Sequence, residues 1–124
     1  MGTIKTTYDL PRNLTLVKAK GGMTVNDFTI WGDNYAPKRV TELILWDLLS
    51  ADLCALSSDE IRMIATRTKG IAVVRKGGKT AFVLGNPCSF GVGRMLEAYN
   101  EAAEMPSELR AFHTIDEAKE WLGV

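Results

Sequence analysis

The sequence predicts one α/β domain over residues 1–124, with a five-stranded, mixed but mostly parallel sheet and four helices in the order ββαβαβαβα. Apolar runs of strand length alternate with amphipathic stretches of helix length, and this alternation is typical of parallel sheets with right-handed crossovers. The chain has 124 residues and is 46% hydrophobic, which suits one core and is too short for two.

The first two strands are predicted as a hairpin over residues 3–20, because two strand-like runs flank the turn sequence LPRN. Thr24, with Asp27 three positions later, predicts the start of a short helix. The inner face of that helix has three apolar residues, Val25, Phe28 and Trp31. A loop over residues 32–38 follows.

The central strand is predicted over residues 43–48, where the sequence LILWDL is apolar on both faces except at Asp47. Asp47 lies at the carboxyl end of this predicted strand. An acid at such a position caps a nearby loop or helix through its carboxylate, or it faces a ligand at the sheet edge. Both interpretations are open.

The next helix is predicted to begin at Ser57, which forms an S-x-x-E capping box with Glu60. The flanking residues Leu56 and Ile61 occupy the positions of a hydrophobic staple. An apolar stripe continues this helix to about residue 74. The alternative is a hairpin over residues 71–84, centred on a Gly-Gly pair.

The last elements are a buried strand (TAFVLG), a helix that continues to residue 103, a short strand (ELRAF) and a final helix. Thr114 and Glu117 form a capping box at the start of the final helix. That helix is predicted to bury Ile115, Ala118, Trp121 and Leu122.

The segment GNPCSFGVGR, residues 85–94, is a candidate anion site because it joins a buried strand to a helix N-terminus. Gly91 and Gly93 would permit close approach of a ligand, and Arg94 would supply positive charge. In the structural alternative, Ser89 caps the helix and the glycines pack against the sheet.

Cys88 lies near the same N-terminus, where a helix dipole lowers the pKa of a thiol. A catalytic cysteine also needs a base, and His113 is the single histidine of the chain. Cys54 and Cys88 are too few for a disulfide framework and form no close metal-binding pair. We therefore expect reduced thiols, no metal and no cofactor.

The charge balance does not favour nucleic acid, since fifteen basic residues offset fifteen acidic ones. No apolar run reaches the length of a membrane span, and the first residues lack a signal-peptide core. These observations predict a soluble, cytoplasmic protein.

The order of elements, with the segments TLVKAKG, LILWDL, KGGKTAFVLGNPCSFGVGRMLEA and AFHTIDEAKEWL, resembles the STAS/SEC14-type, SpoIIAA-like superfamily of small bacterial domains. That resemblance implies a SpoIIAA-like fold. In signalling relatives, a D-S-x-G segment after the equivalent of LILWDL has a serine that a partner kinase phosphorylates. Here the segment is LSSDE, with Ser57 or Ser58 in place but without the preceding acid and the following glycine. We therefore predict that the chain is not a phospho-switched antagonist.

The functional prediction is a non-catalytic binding or regulatory module that acts at the carboxyl ends of the central strands. Its candidate residues are Asp47, Ser57, Ser58, Asn86, Cys88, Ser89 and Arg94. The alternative is a protein that binds a small apolar or anionic ligand, as the SEC14-like resemblance implies, and the third is an enzyme that uses Cys88. We also expect a homodimer formed through apolar surface such as Trp31, Tyr35 or Met95.

Overall fold

The structure, a computed structural model, describes residues 2–35, 41–67 and 77–124. The strands within them are β1 Thr3–Asp9, β2 Leu14–Gly22, β3 Leu43–Asp52, β4 Lys79–Leu84 and β5 Glu108–Phe112. The α-helices within them are α1 Val25–Tyr35, α2 Ser58–Arg67, α3 Pro87–Ala102 and α4 Ile115–Leu122. The predicted α/β fold, with its five-stranded mixed sheet and four helices, is confirmed in these ranges.

The strands lie side by side in chain order, β1-β2-β3-β4-β5. β1 pairs with β2 antiparallel, and the remaining pairs are parallel. The predicted hairpin and the central position of β3 are therefore confirmed. Because β2 to β5 run in the same direction, the loops after them emerge at one edge of the sheet.

The core lies on both faces of the sheet. Helices α1, α2 and α3 cover one face, where Trp46 of β3 lies against Phe28, Trp31 and Phe82 with ring centroids 5.4, 4.7 and 5.9 Å away. Helix α4 covers the other face through Ala118 and Leu122. The doubly covered central strand is the one that the continuous apolar run predicts.

The central strand is longer than the sequence predicts. β3 continues past Asp47 to Asp52, because its residues 50–52 pair with residues 20–22 of β2 beyond an irregularity in the register. The prediction that Asp47 ends the strand is wrong. Ser50 and Asp52 are polar and exposed, and Ala51 is the single buried residue of the three. One small apolar residue between two polar ones is too little to predict a strand from the sequence.

Helix α1 is also longer than predicted, since residues 32–35 belong to it and not to a loop. Tyr35 is buried, and its hydroxyl accepts a hydrogen bond from the Thr41 N–H at 2.8 Å. Trp31 and Met95 are partly buried against the core, and the Trp31 indole donates to the Thr6 hydroxyl at 3.0 Å. Of the three residues expected at a dimer interface, Tyr35 is therefore buried, whereas Trp31 and Met95 are packed partly against the core of this chain.

The capping box of α2 is confirmed. The Ser57 N–H donates to Glu60 Oε1 at 2.9 Å, and the Glu60 N–H donates to Ser57 Oγ at 3.2 Å. The expected staple residues Leu56 and Ile61 are both buried. The choice between a helix to residue 74 and a hairpin falls on residues 68–76, which lie outside the described residues.

Candidate functional site

Two cysteines meet at the carboxyl edge of the sheet. Cys54 lies in the loop after β3, and Cys88 lies in the first turn of α3 after β4. Their sulfur atoms are joined as a disulfide, with the Cα atoms 5.6 Å apart. Both residues are exposed. The expectation of two separate, reduced thiols is therefore wrong, because adjacent parallel strands bring the two loops together.

The backbone of β3 and the end of β4 approach each other closely at Gly85. A Cβ atom at this position would lie 2.7 Å from the Leu49 carbonyl oxygen, so no larger residue fits without a shift. This close approach sets α3 directly beside the loop after β3.

Ser89 joins the same two segments. Its hydroxyl accepts a hydrogen bond from the Leu53 N–H at 3.0 Å, and the serine side chain is fully buried. The cap of α3 is Asn86, whose Oδ1 accepts from the Ser89 N–H at 2.7 Å. The interpretation of Ser89 as the cap is wrong, because Asn86 has the extended backbone of a cap while Ser89 is one helical turn inside.

Polar atoms surround the Cys54 sulfur. Sγ of Cys54 lies 3.5 Å from Asn86 Oδ1 and 3.8 Å from Ser89 Oγ. The Cys54 N–H donates to Asp52 Oδ1 at 2.9 Å. The structure therefore brings together Asn86, Cys88 and Ser89 from the predicted set, and it adds Cys54 and Asp52, which the sequence analysis did not select.

Asp47 lies apart from this cluster. It follows Leu45 by two residues in β3, so its side chain is on the sheet face that α4 covers. Its Oδ1 accepts a hydrogen bond from the Leu49 N–H at 3.2 Å. Two roles were predicted for Asp47, a local cap and a ligand contact. This hydrogen bond is a local cap.

The other predicted residues lie around the cluster. Ser57 and Ser58 are exposed at the start of α2, with the Ser57 hydroxyl used in the capping box. Arg94 is exposed in the second turn of α3, about 9 Å along the helix axis from Cys88. Its Nε lies 3.9 Å from Glu97 Oε2, and this carboxylate accepts from the Ala111 N–H of β5. Arg94 therefore forms its ion pair on the side of α3 that faces β5.

The single histidine does not join the cysteines as a base. The His113 ring stacks on Phe90, with centroids 3.8 Å apart and planes within 14°. The Cys88 sulfur instead bonds to Cys54. A nucleophile activated by His113 therefore has no support in this arrangement.

A small cavity lies between α2, α3 and the sheet. Its walls are mostly apolar and comprise Ile64, Ala65, Phe82, Leu96, Asn100 and Leu109. Its volume is about 20 Å³, which is room for a single water molecule. As it stands, this cavity does not accommodate a lipid-like ligand.

Across residues 2–35, 41–67 and 77–124, no three side chains of His, Cys, Asp or Glu are grouped to hold a metal ion. None of the helices that the structure describes combines the length and the apolar character needed to cross a membrane.

The fold defines the chain as an α/β protein of SpoIIAA-like architecture, with its candidate site at the carboxyl edge of a mostly parallel sheet. It is similar to the crystal structure of an uncharacterised DUF3478-family protein with a SpoIIAA-like fold from Shewanella loihica PV-4. The TM-score is 0.58 at 17% identity, over 98% of this chain and 93% of the other. The predicted SpoIIAA-like fold is thus confirmed. No family model matches the sequence, and no curated protein matches it.

Proposed function

We propose that the protein is a non-catalytic binding module with a regulatory role, and that it binds a protein partner through its carboxyl face. The carboxyl face is the surface formed by residues 52–58 and 86–89. The observation that carries this proposal is the pair of links between these segments, the Ser89–Leu53 hydrogen bond and the Cys54–Cys88 bond. They hold an exposed surface in one shape, and a preordered surface loses less entropy on binding.

The charge of the carboxyl face favours a protein partner over an anionic ligand. Asp52 is exposed on the face and Asp59 is exposed directly beside it, and Arg62 Nη1 lies 3.9 Å from Asp59 Oδ1 and offsets that charge. The Ser89 N–H in the first turn of α3 is already taken by the Asn86 side chain. A partner with a basic or neutral surface therefore matches this face better than a phosphate does.

The alternative proposal, a lipid-like ligand between the helices and the sheet, has less support. The cavity described there has room for one water molecule, whereas pockets for small molecules measure about 300–1,000 Å³. Binding of an acyl chain would require α2 and α3 to separate from the sheet.

Site-specific photo-crosslinking in living cells tests the proposal. A photoreactive amino acid is placed at Ala55 or Ser58 on the carboxyl face, and at Arg12 in the β1–β2 turn as the control; all three are exposed. The expected result is an adduct of one defined mass from Ala55 and Ser58 and none from Arg12. Equal adducts from all three positions, or none from Ala55 and Ser58, would contradict the proposal.

A cytoplasmic homodimer is a further part of the proposal. Tyr35 is buried and cannot belong to its interface, whereas Trp31 and Met95 are partly exposed. The large exposed apolar side chains of the described residues are Leu10, Ile30, Leu49 and Met63. Sedimentation at micromolar concentration tests it, and a single species with the mass of one chain would rule out the dimer. In the crosslinking experiment, an adduct with the mass of two chains would place the dimer interface on the carboxyl face.

A further inference from the structure

We infer that Cys54 and Cys88 form a reversible dithiol–disulfide site that exchanges with small thiols and disulfides of the glutathione class. The inference goes beyond the proposed binding function and stands whether or not the carboxyl face has a partner. It starts from the position of the pair, which is exposed at the carboxyl edge of the sheet and not enclosed in either layer of the core. Exposed disulfides are the ones that small thiols reach and exchange with.

The two cysteines stay close to each other without their covalent bond. The Cys54 N–H donates a hydrogen bond to Asp52 Oδ1, and the Leu53 N–H donates one to Ser89 Oγ. Ser89 is the residue that follows Cys88 in α3. Neither hydrogen bond uses a sulfur atom. The reduced pair therefore keeps its Cα atoms near the 5.6 Å separation, which lies within the range for a disulfide. Closure of the bond then needs little movement of the backbone.

The surroundings distinguish the two sulfur atoms. Cys88 is in the first turn of α3, a helix of sixteen residues, where the partial positive charge of the helix stabilises a thiolate. The Asp52 carboxylate accepts a hydrogen bond from the backbone N–H of Cys54, so a negative charge is already held at this residue and disfavours a second one. When Cys54 is reduced, its thiol has an acceptor in Asn86 Oδ1 at 3.5 Å. Cys88 is therefore the attacking thiolate and Cys54 is the resolving thiol.

The reaction is balanced with a small disulfide, RSSR, as the oxidant. The Cys88 thiolate attacks one sulfur of RSSR, forms a Cys88–SR mixed disulfide and releases RS⁻. Cys54 then loses its proton and attacks the Cys88 sulfur, which forms the Cys54–Cys88 bond and releases the second RS⁻. The two cysteines lose two electrons and two protons in total, and RSSR becomes two RSH. The reverse sequence, with two RSH as reductant, reopens the bond.

Equilibration in glutathione buffers tests the inference. The purified protein is incubated at a series of ratios of reduced to oxidised glutathione, quenched with an alkylating reagent and measured by intact mass. We expect two states that interconvert with the ratio, one with both cysteines alkylated and one that has lost two hydrogens and has no alkyl group. The same curve should be reached from the oxidised and from the reduced protein.

Two serine variants identify the roles of the cysteines. In C54S, Cys88 lacks its resolving thiol, so the Cys88 mixed disulfide with glutathione should accumulate. In C88S, the mixed disulfide at Cys54 should form at least severalfold more slowly. Circular dichroism of both variants verifies that they are folded before the comparison.

The outcomes that overturn the inference are distinct. A bond that stays closed at every glutathione ratio would identify a structural disulfide. Two thiols that are alkylated independently at every ratio would show that the pair does not close. Equal rates in C54S and C88S would overturn the assignment of Cys88 as the attacking residue. None of these results depends on the crosslinking experiment, so the two proposals fail separately.

Discussion

The hydroxyl of Ser89 is a buried acceptor between two segments of the chain. In S89A the Leu53 N–H would lose its partner in a place that water does not reach, which costs about 1–3 kcal/mol. We expect urea unfolding to show a loss of stability of that size. The matched control is S58A at an exposed serine, with an expected change within about 0.5 kcal/mol. Similar midpoints for the two variants would contradict the role of Ser89.

Ser57 stabilises the start of α2 through its side chain. In S57A the Glu60 N–H loses the Ser57 hydroxyl, and a lost N-cap typically costs about 1 kcal/mol. Thermal or urea unfolding measures this loss. An unchanged midpoint would show that water replaces the serine at no cost.

Local sequence was sufficient to predict some of the residues in the cysteine cluster, but not their partners. Asn86, Cys88 and Ser89 follow a buried strand and precede a helix, which predicts their place at the sheet edge. The contact with Cys54 depends on where β3 ends, and its last residues have no apolar alternation that would predict it. The sequence did contain one signal for this contact. Each cysteine follows a strand of the predicted parallel sheet, and if those two strands are neighbours, the two cysteines lie at the same edge.

Helix α3 packs closely against the sheet at Gly93. A Cβ atom at Gly93 would overlap Leu84 Cδ1 and lie 3.2 Å from Ala111 Cβ, whereas one at Gly91 would meet no atom within 4 Å. Overpacking in a core costs about 1–3 kcal/mol. Alanine gains up to about 1 kcal/mol over glycine in a helix interior.

These values predict opposite signs for two substitutions in the same helix. G93A should lower the free energy of unfolding, and G91A should leave it unchanged or raise it by up to about 1 kcal/mol. Urea unfolding of both variants gives the comparison. A G93A variant that is as stable as G91A would show that Leu84 and α3 readjust freely.

Periodicity predicted the existence and type of these elements well, and their ends less well. The three capping sequences at Thr24, Ser57 and Thr114 form the expected side-chain hydrogen bonds, because each cap depends only on residues three positions apart. The end of β3 depends instead on pairing with β2, a segment about thirty residues away. Long-range pairing of this kind has no local pattern.

For the whole molecule, the Cys54–Cys88 bond closes a loop that includes all of α2 and all of β4. The two cysteines are 34 positions apart, and closing a loop of that length in the unfolded chain stabilises the folded state by about 3–4 kcal/mol. This is a large part of the 5–15 kcal/mol that is typical of a folded domain. The redox state of the pair is therefore expected to set the stability of the entire protein.

The last prediction compares the oxidised protein with its reduced form and with the C54S/C88S double variant. Urea unfolding should give the reduced form and the double variant nearly equal free energies of unfolding, both about 3–4 kcal/mol below that of the oxidised protein. The double variant is the control for side reactions of the reductant, because it has no thiol to oxidise. Equal stability of all three would contradict the prediction. A double variant that is much less stable than the reduced protein would show that the cysteine side chains also stabilise the fold through packing, and the contribution of loop closure would then be the difference between the oxidised and the reduced protein.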